Sequence, residues 1–239
     1  MIPEPSGKHR EDGMSNKVLA FDEAVRQRFS SRAFLPTPLT EAQIRDVLQD
    51  AQHSPSNCNT QPWNVHIASG ATKDALQKMM IENDTAGNVT PDFSFSYDDF
   101  HGDYYERSQR QAKVYYDALG IARDDKEKRR EAYLRNFNFF GAPHVAFLFM
   151  PSFGDNVRVA SDIGMYGQSF LLSLAARGFA GIPQTLLGFH ADATRKILGV
   201  PDDYRLLFGI SFGYADPNAP SAQVRMWRQS VDDSVTLHN

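Results

Sequence analysis

The sequence predicts an α+β domain in which a few strands pack among more numerous helices. Three observations lead to this class. Short apolar runs indicate strands, longer segments with apolar residues at i, i+3, i+4 and i+7 indicate helices, and no repeat or composition shift divides the chain. With 239 residues, 41% of them hydrophobic, one domain can bury a substantial core.

Two helices are expected before the first strand. Residues 1–16 are polar and are interpreted as a disordered leader. The first helix begins near Lys17, and one of its faces carries Phe21, Ala24, Val25 and Arg28. The second helix extends from about Thr40 to His53, because Thr40 and Gln43 form a capping box before residues of helical periodicity.

The middle of the chain is predicted to pass from a strand into three helices. Residues 64–69 alternate apolar and polar side chains, as a strand does, and Thr72 is expected to cap the helix that follows. An irregular, aromatic-rich stretch occupies 83–102. Two helices are then expected near 103–119 and 124–138, the second with a strongly charged, solvated face.

The second half contains the longest predicted helix and the clearest strands. A buried strand is expected at 144–150, and a helix at about 156–177 is apolar almost all round in its second half. That helix is therefore placed in the core or in a subunit interface. A short strand at 180–186, a helix near 191–199 and a strong strand at 205–214 complete the domain.

Charge and cysteine content exclude several classes of function. A net charge of -4 gives no sign of the basic surface that binding of a polyanion requires, so we expect no nucleic acid partner. The single cysteine, Cys58, forms no intrachain disulfide; it is interpreted as a small hydrophobic filler, with a redox thiol as the alternative. Histidine spacing predicts no metal site, and the lack of a signal peptide or membrane span predicts a cytoplasmic protein.

Two polar segments are the strongest candidates for ligand binding. Arg28, Ser30 and Arg32 alternate, so in an extended chain they point to one side and span roughly 13 Å at about 3.3 Å per residue. Arginine forks and a serine hydroxyl suit phosphate oxygens, although a basic surface turn would use the same residues. The second segment, Ser54–Gln61, concentrates amides and hydroxyls, which provide the donors and acceptors that a pyrimidine ring edge requires.

Together these segments resemble the FMN-dependent nitroreductases. That family carries Arg-x-Ser-x-Arg or Lys, then a helix, then Ser-Pro-Ser-x-x-Asn-x-Gln-Pro-Trp, matched here by residues 28–32 and 54–63. The resemblance continues through 138–144, 181–185 and 208–214. It implies a nitroreductase-like fold with a mixed or antiparallel sheet surrounded by helices, and an obligate homodimer with two sites at its interface.

The resemblance also implies a division of roles around FMN. Arg28 and Ser30 would hold the phosphate, with Arg225 (or, as an alternative, Arg228) adding a contact from a C-terminal arm at 215–239, and Arg32 would sit at the N1/C2-carbonyl edge. The partner subunit's flavin would be reached by Pro55, Ser56, Asn57 and Asn59. Ring-edge or backbone contacts near N5 would come from Asn138, Pro183, Gln184 and Thr185.

An aromatic stretch is the most individual feature of the chain. Within residues 83–120, which we interpret as a lid or substrate-channel insertion, aromatic side chains cluster without a clear period. The alternative is a surface subdomain with its own small core, and Tyr115 and Tyr116 are interpreted as helix packing. As a lid, the stretch would hold a flat substrate over the flavin with Phe93, Phe95 and Phe100.

The expected activity is NAD(P)H-dependent reduction of nitroaromatics and quinones by a ping-pong cycle, with no obligatory catalytic side chain because the flavin carries the chemistry. Three alternatives stay open. They are a family relative acting on enones or other acceptors, a non-catalytic flavin sensor, and a serine hydrolase using Ser211 within Gly209-Ile-Ser-Phe-Gly213. Against the hydrolase, Asp216-Pro217 interrupts any following helix, and His238 is the only later histidine.

Overall fold

A computed structural model describes residues 18–238, and the predicted leader at 1–16 lies outside these described residues. Within them the centre of the molecule is a four-stranded sheet with the order β1-β2-β4-β3. Every ladder between neighbouring strands is antiparallel, so of the two predicted sheet types the antiparallel one is found. The strands are β1 (Asn64–Ser69), β2 (His144–Pro151), β3 (Ala180–Gln184) and β4 (Tyr204–Gly213).

Seven α-helices surround this sheet within residues 18–238. The longest, α6, packs against the sheet and against α1 and α2, which confirms its predicted place in the core. The helices are α1 (Phe21–Gln27), α2 (Glu41–Ala51), α3 (Gly70–Ala86), α4 (Gly102–Ala118), α5 (Lys126–Leu134), α6 (Val157–Ala176) and α7 (Ala191–Leu198).

The core lies on both faces of β2, because alternate residues of a strand point to opposite sides of the sheet. On one face, Phe147 and Phe149 pack with residues of α3 and the turn after α5. On the other, Leu148 and Met150 pack with residues of α2 and α6. Burial of both faces explains why this strand reads as a continuous hydrophobic run.

Two helices differ from the sequence prediction. The third begins directly at Gly70, after Ser69 in the N-cap position, rather than at a cap on Thr72, and it continues to Ala86 inside the stretch predicted to be irregular. In α1, only Ala24 of the predicted apolar face is buried. Its neighbours Phe21 and Val25 remain 75% and 43% exposed, so the isolated chain leaves most of that face uncovered.

The aromatic stretch is fastened to the body of the domain by Asp92. The side chain of Asp92 is 3% exposed and that of its partner Arg195, on α7, is 5% exposed. Asp92 also accepts hydrogen bonds from the backbone of Leu206 at 2.7 Å and from Arg205 at 3.1 Å. This ionic anchor ties the start of the stretch to α7 and β4.

None of the helices described is both long and apolar enough to cross a membrane. Residues 18–238 likewise contain no group of three or more His, Cys, Asp or Glu side chains placed to hold a metal ion.

Candidate functional site

Residues 28–32 form an extended segment beside the edge strand β3. The chain turns extended at Arg28, immediately after α1. Ser30 then makes an isolated parallel bridge with Gly181 of β3. Because the segment is extended, alternate side chains share a side, and Arg28, Ser30 and Arg32 all line one cavity. Phe29, which lies between them in the chain, lines the same cavity, so the common orientation of the three side chains stays a prediction.

This arginine cavity has a volume of about 610 Å³, within the usual range for small-molecule sites. Residues from the C-terminal arm close its other side, where the Arg225 guanidinium carbon lies 3.7 Å from the centroid of the Phe29 ring. No carboxylate is among the lining residues that the structure describes, so the cavity is suited to an anion. Its lining consists of Val25, Arg26, Arg28, Phe29, Ser30, Arg32, Gln111, Val224, Arg225, Met226 and Arg228.

Burial lowers the pKa of two arginines of this cavity. Burial, reinforced by the neighbouring Arg228, lowers the pKa of the Arg28 guanidinium. Burial also lowers the pKa of Arg32, and the nearby Tyr115 hydroxyl partly opposes that effect. Desolvation penalises a charge that has no partner. A bound anion would relieve this penalty for both arginines.

Two buried polar atoms, one on α4 and one in the turn after α5, lack hydrogen-bond partners within the described residues. They are the Tyr115 hydroxyl and Asn138 Oδ1. The Tyr115 ring lies 4.7 Å from the Arg32 guanidinium carbon, and Gln111, four residues earlier on α4, lines the arginine cavity. Buried polar groups are usually paired. These two unpaired atoms, with the arginines of the cavity, fit a ligand that has an anionic end and a polar ring.

Tyr115 is a residue that sequence reasoning missed as part of the site. It was expected to serve helix packing, and it is indeed 7% exposed. The available signal was its spacing of four from Gln111, which puts both side chains on one face of α4. That signal could not reveal that this face meets Arg32.

The second predicted segment, the loop at 54–61, lies against α6 and lines none of the arginine cavity. Ser54 Oγ donates to Ser169 Oγ at 2.7 Å, and the backbone N–H of Asn57 contacts both carboxylate oxygens of Asp162 at 3.1 Å. Pro55, Asn57 and Asn59 are exposed, and Ser56 is half-buried. Within one chain, the structure thus separates this loop from Arg28, Ser30 and Arg32.

Cys58, at the centre of this loop, is exposed. Its interpretation as a small hydrophobic filler is therefore wrong. The reason is the backbone, because Cys58, Asn59 and Gln61 all have positive φ angles, and this tight turn directs the cysteine outward rather than into the core.

Residues 183–185 alternate between solvent and core. Pro183 and Thr185 are exposed, whereas Gln184 is buried and its amide donates to the backbone oxygen of Asn136 at 3.0 Å. The Gln184 side-chain oxygen accepts the hydroxyl of Ser211, which has 0% exposure. The hydrolase interpretation of Ser211 is wrong, because its buried hydroxyl is already paired with Gln184 of β3 and no substrate reaches it.

A smaller cavity of about 220 Å³ adjoins Thr185 at the far end of β3. Phe93 and Phe95 line it together with Phe208. Phe100 lies outside this lining, with its ring centroid 6.0 Å from that of Phe95 in an edge-to-face contact. The aromatic stretch therefore has a small cluster of its own and at the same time faces the end of β3 opposite the arginine segment.

The sequence is similar to nitroreductases over most of its length. The model of the nitroreductase family matches residues 25–214. Nitroreductase NfnB of Mycolicibacterium smegmatis is 40% identical over 216 residues, which cover 90% of this chain and 92% of that protein. A 4-nitrobenzoate reductase of Pseudomonas putida is 32% identical over 213 residues, covering 87% and 91%.

The fold agrees with these relatives. The crystal structure of FMN-dependent NfnB from Mycobacterium smegmatis in complex with NADPH superposes with a TM-score of 0.88 at 38% identity, covering 91% of this chain and 97% of that one. The FMN- and NADPH-dependent NfnB of a Sphigopyxis strain gives the same TM-score at 30% identity, covering 92% and 100%.

Proposed function

The chain belongs to the nitroreductase family, and on that premise we propose that it is an FMN-dependent NAD(P)H oxidoreductase that reduces nitroaromatic compounds and quinones. Relatives at 40% and 32% identity are named a nitroreductase and a 4-nitrobenzoate reductase. A close structural neighbour is described as FMN-dependent and in complex with NADPH. A relative's preference for enones or other acceptors is the alternative chemistry within the same family.

The observation that carries the proposal is the carboxylate-free arginine cavity. Arg28 and Ser30 would bind the FMN phosphate together with Arg225, while Arg228 adds positive charge to the same cavity. Arg32 would lie at the N1/C2-carbonyl edge, with Asn138 also facing the ring. In support, Arg32 has an uncompensated buried charge and Asn138 Oδ1 is an orphaned acceptor for a ring N–H.

When bound, FMN would supply the redox chemistry of a ping-pong cycle, in which a hydride from NAD(P)H reduces the flavin and the acceptor reoxidises it. The protein contributes binding, orientation and the local electric field. Arg32 would stabilise negative charge at its edge of the ring. Protons come from water, so no side chain is assigned as a catalytic acid or base.

The substrate is proposed to enter beside β3. Backbone groups of Pro183, Gln184 and Thr185 would flank N5, and Thr185 lines the 220 Å³ cavity with Phe93 and Phe95. Those two rings, with Phe100 behind them, would cover a flat acceptor and exclude water, so that residues 83–120 act as the lid. The faces of aromatic rings suit a planar nitroarene.

We further propose that the working unit is a cytoplasmic homodimer. The exposed Phe21 and Val25 on α1 give an uncovered apolar face next to α6. The loop at 54–61, separate from the arginine cavity of its own chain, would contribute to the flavin bound mainly by the other subunit. Its contacts there would come from Pro55, Ser56, Asn57 and Asn59.

Purified protein provides the direct test. We expect a yellow protein whose flavin absorbance is bleached anaerobically by NADPH or NADH and restored by nitroaromatics and quinones. A colourless protein that takes up no added FMN would refute the proposal. Faster reoxidation by enones than by nitroarenes would favour the alternative acceptor, and a reduced flavin that none of these acceptors reoxidises would indicate a sensor.

A further inference from the structure

A second cationic pocket, of about 360 Å³, lies between α4 and the start of α5. Its only lining carboxylate within the described residues, Asp117, is paired with Lys113 at 2.5 Å. We call this the adjacent pocket. Its other three cations, Arg110, Arg123 and Arg129, have no carboxylate partner among the described residues. The pocket is lined by Gln109, Arg110, Ala112, Lys113, Tyr116, Asp117, Ile121, Arg123 and Arg129.

The adjacent pocket also has a flat aromatic wall. The guanidinium carbon of Arg129 lies 3.9 Å from the centroid of the Tyr116 ring, and Ile121 adds an apolar surface. Guanidinium and aromatic planes both stack on flat heterocycles. The combination of a stacking surface with unpaired arginines is suited to a planar base that carries a phosphate.

Short steps connect this pocket with the arginine cavity. The guanidinium carbon of Arg32 lies 4.7 Å from the centroid of the Tyr115 ring. The ring centroids of Tyr115 and Tyr116 are 5.6 Å apart, and the guanidinium carbon of Arg129 lies 3.9 Å from the Tyr116 centroid. Along the surface, Arg110 stacks on Trp227 at 4.0 Å, next to Arg228 of the arginine cavity. The adjacent pocket and the arginine cavity therefore lie on neighbouring parts of α4.

We propose that the adjacent pocket binds the adenosine end of NADPH and that Arg110, Arg123 and Arg129 hold its 2′-phosphate. This inference rests on the proposed function. The sequence contains no glycine-rich phosphate cradle, so side chains have to supply the affinity for the nucleotide. Because NADH lacks the 2′-phosphate, the three arginines make the enzyme prefer NADPH.

The test compares the two nucleotides in the reductive half-reaction of the FMN-loaded enzyme. Replacing two arginines together, Arg123→Gln with Arg129→Gln, raises the Kd of NADPH roughly 100-fold or more, since each charged hydrogen bond is worth about tenfold or more. The Kd of NADH changes less than about twofold, because it has no phosphate there. Lys128→Gln is the matched control, as it removes a cation of the same helix that lies outside the pocket lining.

Calorimetry with 2′,5′-ADP gives an independent measure on the same proteins. We expect binding to the wild type and to Lys128→Gln, and loss of binding in the double variant with FMN content and unfolding temperature retained. Equal weakening of NADPH and NADH, or an unchanged ratio, overturns the proposal. So does a double variant impaired only toward 4-nitrobenzoate, which would assign the pocket to the acceptor. Failure of FMN to bind would defeat the proposed function, whereas 2′,5′-ADP calorimetry would still decide this inference.

Discussion

At the scale of single residues, the arginine cavity gathers positive charge without local compensation. Arg28 and Arg32 are both desolvated, and both have lowered pKa values. Removing a charge from water without a partner costs free energy, so a bound phosphate would stabilise the fold as well as fill the site. Cofactor affinity and thermal stability should therefore change together in this protein.

Replacing Arg28 tests the phosphate anchor directly. We expect Arg28→Gln to weaken FMN binding by about 1.5–3 kcal/mol, the usual value of a charge-assisted hydrogen bond, while the apoprotein folds normally. The measurement is fluorescence titration of apoprotein with FMN. Arg45→Gln, which removes an exposed arginine paired with Glu41, is the control. FMN affinity in the Arg28 variant equal to that of the control would place the phosphate elsewhere.

The residue scale also shows what the sequence could and could not predict. A common cavity for Arg28, Ser30 and Arg32 could be expected from local geometry, since alternate side chains of an extended chain point one way. The place of Tyr115 beside Arg32 depends on how α4 packs on a distant segment, which no local pattern encodes. Cys58 was misplaced because a turn with consecutive positive φ angles is not evident from its composition.

At the scale of elements, the anchor at Asp92 fixes the base of the proposed lid while leaving its aromatic tip to its own packing. The carboxylate is held by Arg195, Arg205 and a backbone N–H of β4. Beyond it, Tyr97 and Phe100 remain 62% and 37% exposed. The exposed aromatic side chains of the proposed lid thus all lie after the anchor in the chain.

Replacing Asp92 should therefore be costly to stability. Asp92→Asn leaves the buried Arg195 without its principal counter-charge, and we expect a loss of about 3–5 kcal/mol in the free energy of unfolding. Urea denaturation provides the measurement. Asp192→Asn removes the exposed carboxylate that contacts the same arginine and is expected to cost less than about 1 kcal/mol. Similar losses in both variants would contradict the assigned role of burial.

Most elements were predicted to within a few residues, because apolar periodicity and caps are local signals. The capping box of Thr40 and Gln43 is present as predicted. The onset of α3 was misplaced because the chain passes from β1 into the helix at Gly70, with φ of +52°, and no linker marks the change. The sheet order could not be predicted from the residues alone, since strand pairing is non-local.

At the scale of the whole molecule, histidines join separate parts of the core and make stability depend on pH. The backbone N–H of Leu39 donates to His144 Nε2 at 2.9 Å, so this nitrogen must stay unprotonated. Nδ1 then carries the proton and donates to Ser69 Oγ. Burial lowers the pKa of His144 and of the fully buried His190. The neutral forms belong to the folded state.

Acidification is therefore expected to destabilise the protein. Since the folded pKa values lie below the ordinary 6.5, the unfolded chain takes up protons first, and the free energy of unfolding falls as the pH drops below that value. Urea denaturation at about pH 7.5 and about pH 5.5 measures the loss. In His144→Gln we expect the free energy of unfolding to fall less between the two pH values than it does in the wild type. The exposed control His101→Gln should show the same fall as the wild type. Equal pH dependence in both variants would exclude His144 as a source.

The proposed homodimer is tested through the uncovered face of α1. Phe21→Glu places a charge on the 75% exposed ring position, and we expect it to dissociate the dimer and release FMN, because the loop at 54–61 of the other subunit is then lost. Light scattering should give twice 26.9 kDa for the wild type and 26.9 kDa for the variant. Val89→Glu, in the loop after α3, is the control. A monomeric wild type with bound FMN would contradict the proposal.

The arginine cavity has a consequence for biosynthesis. One of its walls is formed by residues 25–32 and the other by residues 224–228, so the two emerge from the ribosome at very different times. Because domains assemble as their segments become available, the residues of the first wall are synthesised long before those of the second. The nascent chain can therefore complete the arginine cavity only after residue 228 has left the exit tunnel.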